Sequence, residues 1–369
     1  MRTLRIALLS SGTFRHIRGY LDFLRERGHQ VHWITFTPPA WQPEGVSLHD
    51  VSRLHDAFSG RVAKLQYLRS IPSVRRLLRD VKPDILHGHY ATSAGVLCAF
   101  SGFRPYVVSA RGTDLIGSMK SPLWRMLLRR VFSRAALVHT VSEELSTLAE
   151  SLGVPGKRCL TLSQGIDTAV FRYCSRSRND GPVRLICTRH LHQTYDLATI
   201  VRACGLLKDR GVLFRLTLAG AGPLRNQLHQ MAERLGIGHA VDFLGGYDNS
   251  RLPALLSSHD LYLSSSLWDG TSISLLEAMA CGIFPIVSRI PSNEAWVEDG
   301  QTALMFECGN AEMLADQIER AANDETLVRQ GIEINRRTVE ERGDRQRNML
   351  LLENSYYDLL ADGHLSDRA

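Results

Sequence analysis

The strongest constraint in this 369-residue sequence is a pattern that runs through it twice: a short apolar run, a segment with apolar residues at helical spacing, then another apolar run. In the first half Leu4 to Ser10 precedes Ile17 to Glu26, the turn Arg27-Gly28-His29 stops that helix, and Val31 to Phe36 follows. Later runs are Ile85-Leu86-His87, Tyr106 to Ser109 and Ala136 to His139. In the second half Val183 to Cys187 precedes Leu197 to Lys208, and Phe214 to Ala219 precedes Leu224 to Leu235. Asp260 to Ser264 and Phe284 to Ser288 flank a helix at Ser274 to Cys281. Strands that alternate with helices build right-handed βαβ units on parallel sheets. The sequence therefore predicts an α/β chain of two doubly wound, Rossmann-like domains facing across a cleft.

The first domain is expected over residues 1–170 and the second over 182–345. Between them the stretch 171–181 is polar, lacks an apolar period and ends in turn residues, so it reads as a linker. Met349, Leu350, Leu352, Tyr356, Leu359 and Leu360 fall at helical spacing, and 346–369 is expected to form a terminal helix packing back towards the first domain. No apolar stretch approaches the ~20 residues of a membrane-spanning helix. The start lacks the core of a secretory signal and reads as a first strand. Seven scattered cysteines with no C-x-x-C pair encode neither a disulfide framework nor a zinc site, which fits a reducing cytoplasm.

The net charge of +6 conceals a division. Residues 1–170 hold 23 Lys and Arg against 12 Asp and Glu, a balance of +11, whereas 171–369 hold 21 against 26, a balance of −5. A basic half suits an anionic partner, and a solvated basic surface is the plain alternative.

Ligands of open parallel sheets bind beyond the carboxyl ends of the strands, so those loops carry the candidates. Ser10 to His16, which includes Gly12, is a small-residue turn entering a helix. His87 and His89 point the same way on an extended backbone, yet no third ligand follows at metal spacing. A hydrogen-bonding His89 or a packed imidazole is the better reading. Ser109 to Asp114 packs Arg111, a glycine and Asp114 into one turn, either as an acceptor or phosphate contact or as an Asp114 cap beside a solvated Arg111. Gln164-Gly165-Ile166-Asp167 precedes the linker, and Asp167 suits capping as well as binding.

In the second half Arg189 ends a strand, where a cation can hold a diphosphate. Gly220-Ala221-Gly222-Pro223 lacks the third glycine of a dinucleotide fingerprint, since Arg225 stands there, so hydride transfer is poorly supported. The most informative stretch runs from Ser264 to Gly282. There a strand ends in serines, a loop carries Asp269 and Gly270, and a helix opens at Thr271 to Ser274 with Glu277 one turn inside. A helix start holds phosphates, and a carboxylate there can take both hydroxyls of a ribose.

On these residues the chain resembles the retaining GT-B glycosyltransferases of family 4. The likeness also rests on Lys82-Pro83-Asp84-Ile85-Leu86-His87-Gly88-His89, Arg111-Gly112-Thr113-Asp114, Phe243-Leu244-Gly245 and Leu275-Leu276-Glu277-Ala278-Met279-Ala280-Cys281-Gly282. The family pairs two glutamates separated by seven residues; here Asp269 and Glu277 take those places, as in a branch reading D-G-T-S-x-S-L-L-E-A-M-A. The resemblance implies transfer of a hexose or N-acetylhexosamine from a nucleotide-diphosphate sugar to an acceptor hydroxyl with retention, without metal or other cofactor. It implies that Glu277 binds the ribose and that Asp269, with Gly270, Thr271 and Ser272, addresses the donor sugar. Gly12, Gly222 and Leu276 join the donor contacts. Arg189, Asp269 and His89 would serve the reaction, and His16, Arg111, Asp114 and Gln164 would touch acceptor or sugar. Where the family carries a second diphosphate cation, a lysine, this chain reads Gln193-Thr194-Tyr195-Asp196.

The implied partners are the nucleotide sugar and a glycan or lipid-linked acceptor bound by the first domain, with no nucleic acid. Arg125, Arg129, Arg130 and Arg134 share a segment with Leu123, Trp124 and Met126, a basic amphipathic pattern suited to an anionic inner membrane face. A core-packed helix with a solvated basic edge is the alternative. The expected product is a surface polysaccharide or another glycoconjugate. A nucleotide-sugar 2-epimerase of the same fold and a non-catalytic sugar-nucleotide-binding subunit are the rival functions.

Overall fold

The computed structural model describes residues 2–14, 16–52, 63–173 and 181–366. Arg15 and residues 174–180, most of the predicted linker, lie outside the described residues. The chain forms two compact units, one of residues 1–163 with 346–369 and one of 164–345.

The first unit holds a seven-stranded parallel sheet of β1 (Arg5–Ser10), β2 (Gln30–Thr35), β3 (Ser47–Asp50), β4 (Ile85–His89), β5 (Tyr106–Ala110), β6 (Leu137–Thr140) and β7 (Cys159–Thr161), in the order β3-β2-β1-β4-β5-β6-β7. Register sets Ile6 opposite Val31 and Ile85. Along β1 the side chains alternate between two cores. Ala7 and Leu9 join Val108 and Phe132 on one face, while Leu4, Ile6 and Leu8 join Trp33 and Val107 on the other. Burial on both faces is why these strands read as unbroken apolar runs.

The helix Arg345–Ser366 closes the second of those faces, burying Met349, Leu352 and Tyr356. It is clasped by the turn that ends the first helix of the chain. Glu353 is buried and receives hydrogen bonds from Arg27 Nε (3.0 Å) and His29 Nε2 (2.8 Å). His29 Nδ1 accepts the Leu4 N–H, which fixes its proton on Nε2. The residues read as a helix stop thus also anchor the terminal helix.

The second unit holds a six-stranded parallel sheet of β8 (Val183–Cys187), β9 (Phe214–Leu218), β10 (Val241–Phe243), β11 (Leu261–Ser264), β12 (Phe284–Ser288) and β13 (Leu304–Phe306), in the order β10-β9-β8-β11-β12-β13. Leu185 and Cys187 face one core and Ile186 the other. In both sheets the order reverses beside the first strand, at β1/β4 and at β8/β11, the switch points where crevices open at the carboxyl ends.

The unit division falls earlier than the predicted end at residue 170. Residues 164–170 belong to the second unit because Ile166 N–H donates to Gly343 O and Arg345 N–H to Ile166 O, both at 2.8 Å. Gly165 has φ +64°, and a Cβ there would lie 2.6 Å from Gly343 O, so the close approach needs glycine. Phe171, at the start of the predicted linker, is buried in the second unit's core.

Candidate functional site

In the second unit, β8 delivers Arg189 just beyond its carboxyl end, where the side chain is 9% exposed. Its Nη1 donates to Ser274 Oγ (2.9 Å), its Nη2 pairs with the Asp269 carboxylate, and its guanidinium carbon lies 4.1 Å from the centre of the Tyr195 ring. Burial opposes the charge, but Asp269, Tyr262 and Tyr195 more than offset it. Ser274 Oγ also accepts from Tyr262 OH (2.9 Å). Arg189 Nε is buried without a partner.

Gly220 makes room for the Arg189 backbone and Gly222 for that of Leu191. A Cβ on Gly220 would lie 2.2 Å from Arg189 O, and one on Gly222 would lie 2.3 Å from Leu191 O. The structure gives Gly222, expected at the donor, this packing duty. The neighbouring turn is tied in as well, since Ser265 Oγ donates to Tyr195 O (2.8 Å) and Leu267 N–H to Thr194 O (2.9 Å).

The helix Ile273–Ala280 begins at this point, with Ser272 as its N-cap. The Ser272 hydroxyl makes no cap bond and is buried without a partner, while Asp269 Oδ1 accepts the Gly270 N–H (2.9 Å). Glu277 lies one turn in. Burial pushes its carboxyl up to about 7, against the pull of Arg345 and Arg189. Tyr247, which sequence reading missed although it follows the Phe243-Leu244-Gly245 motif, is half-buried against Glu277, Thr188 and Arg189, and burial raises its phenol to about 12. Leu276, expected among the donor contacts, is fully buried in the core instead, because its side chain packs beside Gly343 on the inner face of the helix.

In the first unit the strand ends gather a buried polar nest. His139 Nε2 faces Leu162 O (3.0 Å) and must donate, so its Nδ1 accepts from Ser109 Oγ (2.7 Å). Ser109 Oγ in turn accepts from His87 Nε2 (2.7 Å), and His87 Nδ1 accepts from Tyr356 OH (2.6 Å). These directions hold because both imidazoles are neutral: burial holds His139 down to about 3 and His87 well below the usual range. His89 stacks on His87, with ring centres 4.3 Å apart, and its Nδ1 receives Arg111 Nη2 (3.0 Å). Among the described residues no group of three or more His, Cys, Asp or Glu could hold a metal ion.

Asp114 is a loop anchor. It is buried, and its oxygens accept N–H groups of Ala91 (2.7 Å), Arg111 (2.9 Å) and Gly112 (2.9 Å). Its expected contact with acceptor or sugar would compete with these three bonds, the outcome of the capping alternative. Gly12 is buried against the 37–40 loop, where a Cβ would lie 2.5 Å from Thr37 O. His16 is exposed beside Phe14, and Gln164 lies in the second unit next to Gly165. Asp167 closes a turn, its Oδ1 accepting Ala169 N–H (3.0 Å).

Two parallel sheets of this topology are the architecture of the GT-B class. HepE of Anabaena, solved in complex with UDP, matches with a TM-score of 0.80 at 16% identity over 96% of this chain and 100% of that one. Residues 10–170 match the model of Glycosyltransferase Family 4 and residues 175–338 that of Glycosyl transferases group 1. The chain has the GT-B fold, and each of its two halves matches a glycosyltransferase family model. Relatives include N-acetyl-alpha-D-glucosaminyl L-malate synthase of Bacillus anthracis, 28% identical over 92% of each chain. The putative colanic acid biosynthesis glycosyltransferase WcaL of Salmonella typhimurium is 24% identical over 84% of this chain and 87% of its own.

Proposed function

We propose that this glycosyltransferase is retaining and moves a sugar from a nucleoside diphosphate sugar to an acceptor hydroxyl, in making a surface polysaccharide or another glycoconjugate. One observation carries the reading: Arg189, locked by Asp269 and Ser274, stands at a helix start whose capping hydroxyl is unused, with a raised-pKa carboxyl one turn inside. The guanidinium and the helix start would take the charge that grows on the leaving diphosphate. Glu277 would accept from the ribose hydroxyls, and a donor phosphate oxygen would take the acceptor proton. No protein nucleophile, metal ion or other cofactor is called for. The names of the relatives, which include a synthase and a colanic acid enzyme, and the UDP held by HepE support the substrate class.

Calorimetry with UDP and with sugar nucleotides tests the ribose role. Glu277→Ala should weaken binding by about 100-fold, as expected for two lost charge-assisted hydrogen bonds, with the circular dichroism spectrum unchanged. Equal affinity would remove the assignment.

The same reading gives the first unit the acceptor, and its helix Pro122–Arg134 a place on an anionic membrane. That helix exposes Arg125, Arg129, Arg130 and Arg134 together with Leu123 and Met126, 62% and 64% accessible. Among the described residues no helix is long and apolar enough to cross a membrane. The protein should float with anionic liposomes and be released by salt; equal behaviour on neutral liposomes would count against the contact.

A further inference from the structure

Arg111 extends from the end of β5 into the polar nest of the first unit. Its guanidinium carbon sits 4.9 Å from the centre of the Tyr20 ring, and Nη2 donates to His89 Nδ1. Nε and Nη1 are buried with no partner. No carboxylate lies within ion-pair distance of Arg111 among the described residues. The carboxylate of its own turn, Asp114, is taken up by backbone N–H groups.

The imidazoles around it cannot serve as counter-charge. Burial keeps His87 and His139 neutral, and with both neutral the hydrogen-bond chain has Tyr356 donating to His87. His89 adds to the deficit. Its Nδ1 accepts from a group that can only donate, so the proton is on Nε2, and that N–H is buried with no acceptor. A covered cation with two idle donors, beside a third idle donor, is a costly arrangement that an anion relieves. The position suits a ligand, because β4 and β5 are adjacent, His89 registers with Ser109, and both side chains stand at carboxyl ends. Arg111 is itself only partly buried, so solvent reaches the residue.

We propose that Arg111 and the Nε2–H of His89 form an oxyanion site, and that the acceptor glycosylated by this enzyme carries a carboxylate or phosphate group that seats there. The inference rests on the reading that the first unit takes the acceptor. A guanidinium beside a neutral N–H donor binds either oxyanion.

Inorganic phosphate and succinate are titrated by calorimetry into the full chain, with and without saturating UDP, for the native protein, Arg111→Met and Arg111→Lys. At least one anion should bind the native protein with UDP present, Arg111→Met should bind it roughly tenfold more weakly, and Arg111→Lys should fall between. Binding of phosphate alone assigns a phosphorylated acceptor, and of succinate alone a carboxylic one. UDP affinity should be equal in all three. The ligand-free Arg111→Met protein should melt no lower than the native protein, since a covered cation without a partner is removed.

Absence of anion binding in the native protein, equal binding in Arg111→Met, or a clear fall in its melting temperature would each overturn the proposal. A loss of UDP affinity in Arg111→Met would overturn it too, by giving the guanidinium to the donor. Should the native protein fail to bind UDP yet bind an anion through Arg111, the oxyanion site stands and the donor reading fails.

Discussion

Two arginines do comparable geometric work at the carboxyl ends of the two sheets, and their surroundings differ in one respect. Arg189 lies on the Tyr195 ring and is buried, and Arg111 lies on the Tyr20 ring and is half-buried. Arg189 has a carboxylate, Asp269, and a hydroxyl, Ser274; Arg111 has neutral imidazoles. The paired cation is held in place before any ligand arrives, which suits a group that must meet developing charge without rearranging. The unpaired one is left to be completed from outside. A carboxylate beside a buried cation thus separates a preorganised site from an unfinished one.

The comparison breaks most forcefully at Asp269. Asp269→Ala leaves Arg189 in the state of Arg111, and removing one partner of a buried pair should cost ~3 kcal/mol in urea unfolding. A loss within error would show that the pair contributes nothing to the fold. Arg189→Ala should lower kcat by about 100-fold or more with a smaller effect on KM, and an unaltered kcat would defeat its role at the leaving group.

A smaller effect comes from Glu277, whose carboxyl is raised in the folded protein to about 7 from 4.5. The folded state prefers the protonated acid. The resulting destabilisation is absent below the unfolded value, grows as pH rises from about 4.5 to 7, and is constant above. Glu277→Gln should therefore stabilise the ligand-free protein by ~2–3 kcal/mol at pH 8 and not at pH 4. Native UDP affinity should fall as pH drops below about 7, where the acceptor carboxylate is lost, while the glutamine variant stays flat. A native profile independent of pH would show that the carboxyl does not face the ribose.

The strands that the sequence reveals by apolar runs are the central ones. Missing from the prediction are Ser47–Asp50, Cys159–Thr161, Val241–Phe243 and Leu304–Phe306, and these four are the edges of the two sheets. An edge strand has one neighbour, and these are three or four residues long, so no extended run marks them. In the site, Arg189, Asp269 and Glu277 were legible from strand ends and a helix start. Tyr195, Tyr247 and Ser274 were not, because each acts through a side-chain contact with a residue remote in sequence.

By itself the sequence determined the alternation of strands and helices, the presence of two units, and the loops that hold the candidate residues. Those features follow from local periodicity and turn residues, which each segment carries alone. Only the tertiary structure decided that Arg189 is neutralised by Asp269 while Arg111 is not, that Glu353 clasps the terminal helix to Arg27 and His29, and that Asp114 anchors a loop. Charge compensation and burial are properties of groups brought together from distant parts of the chain, and no single segment encodes them.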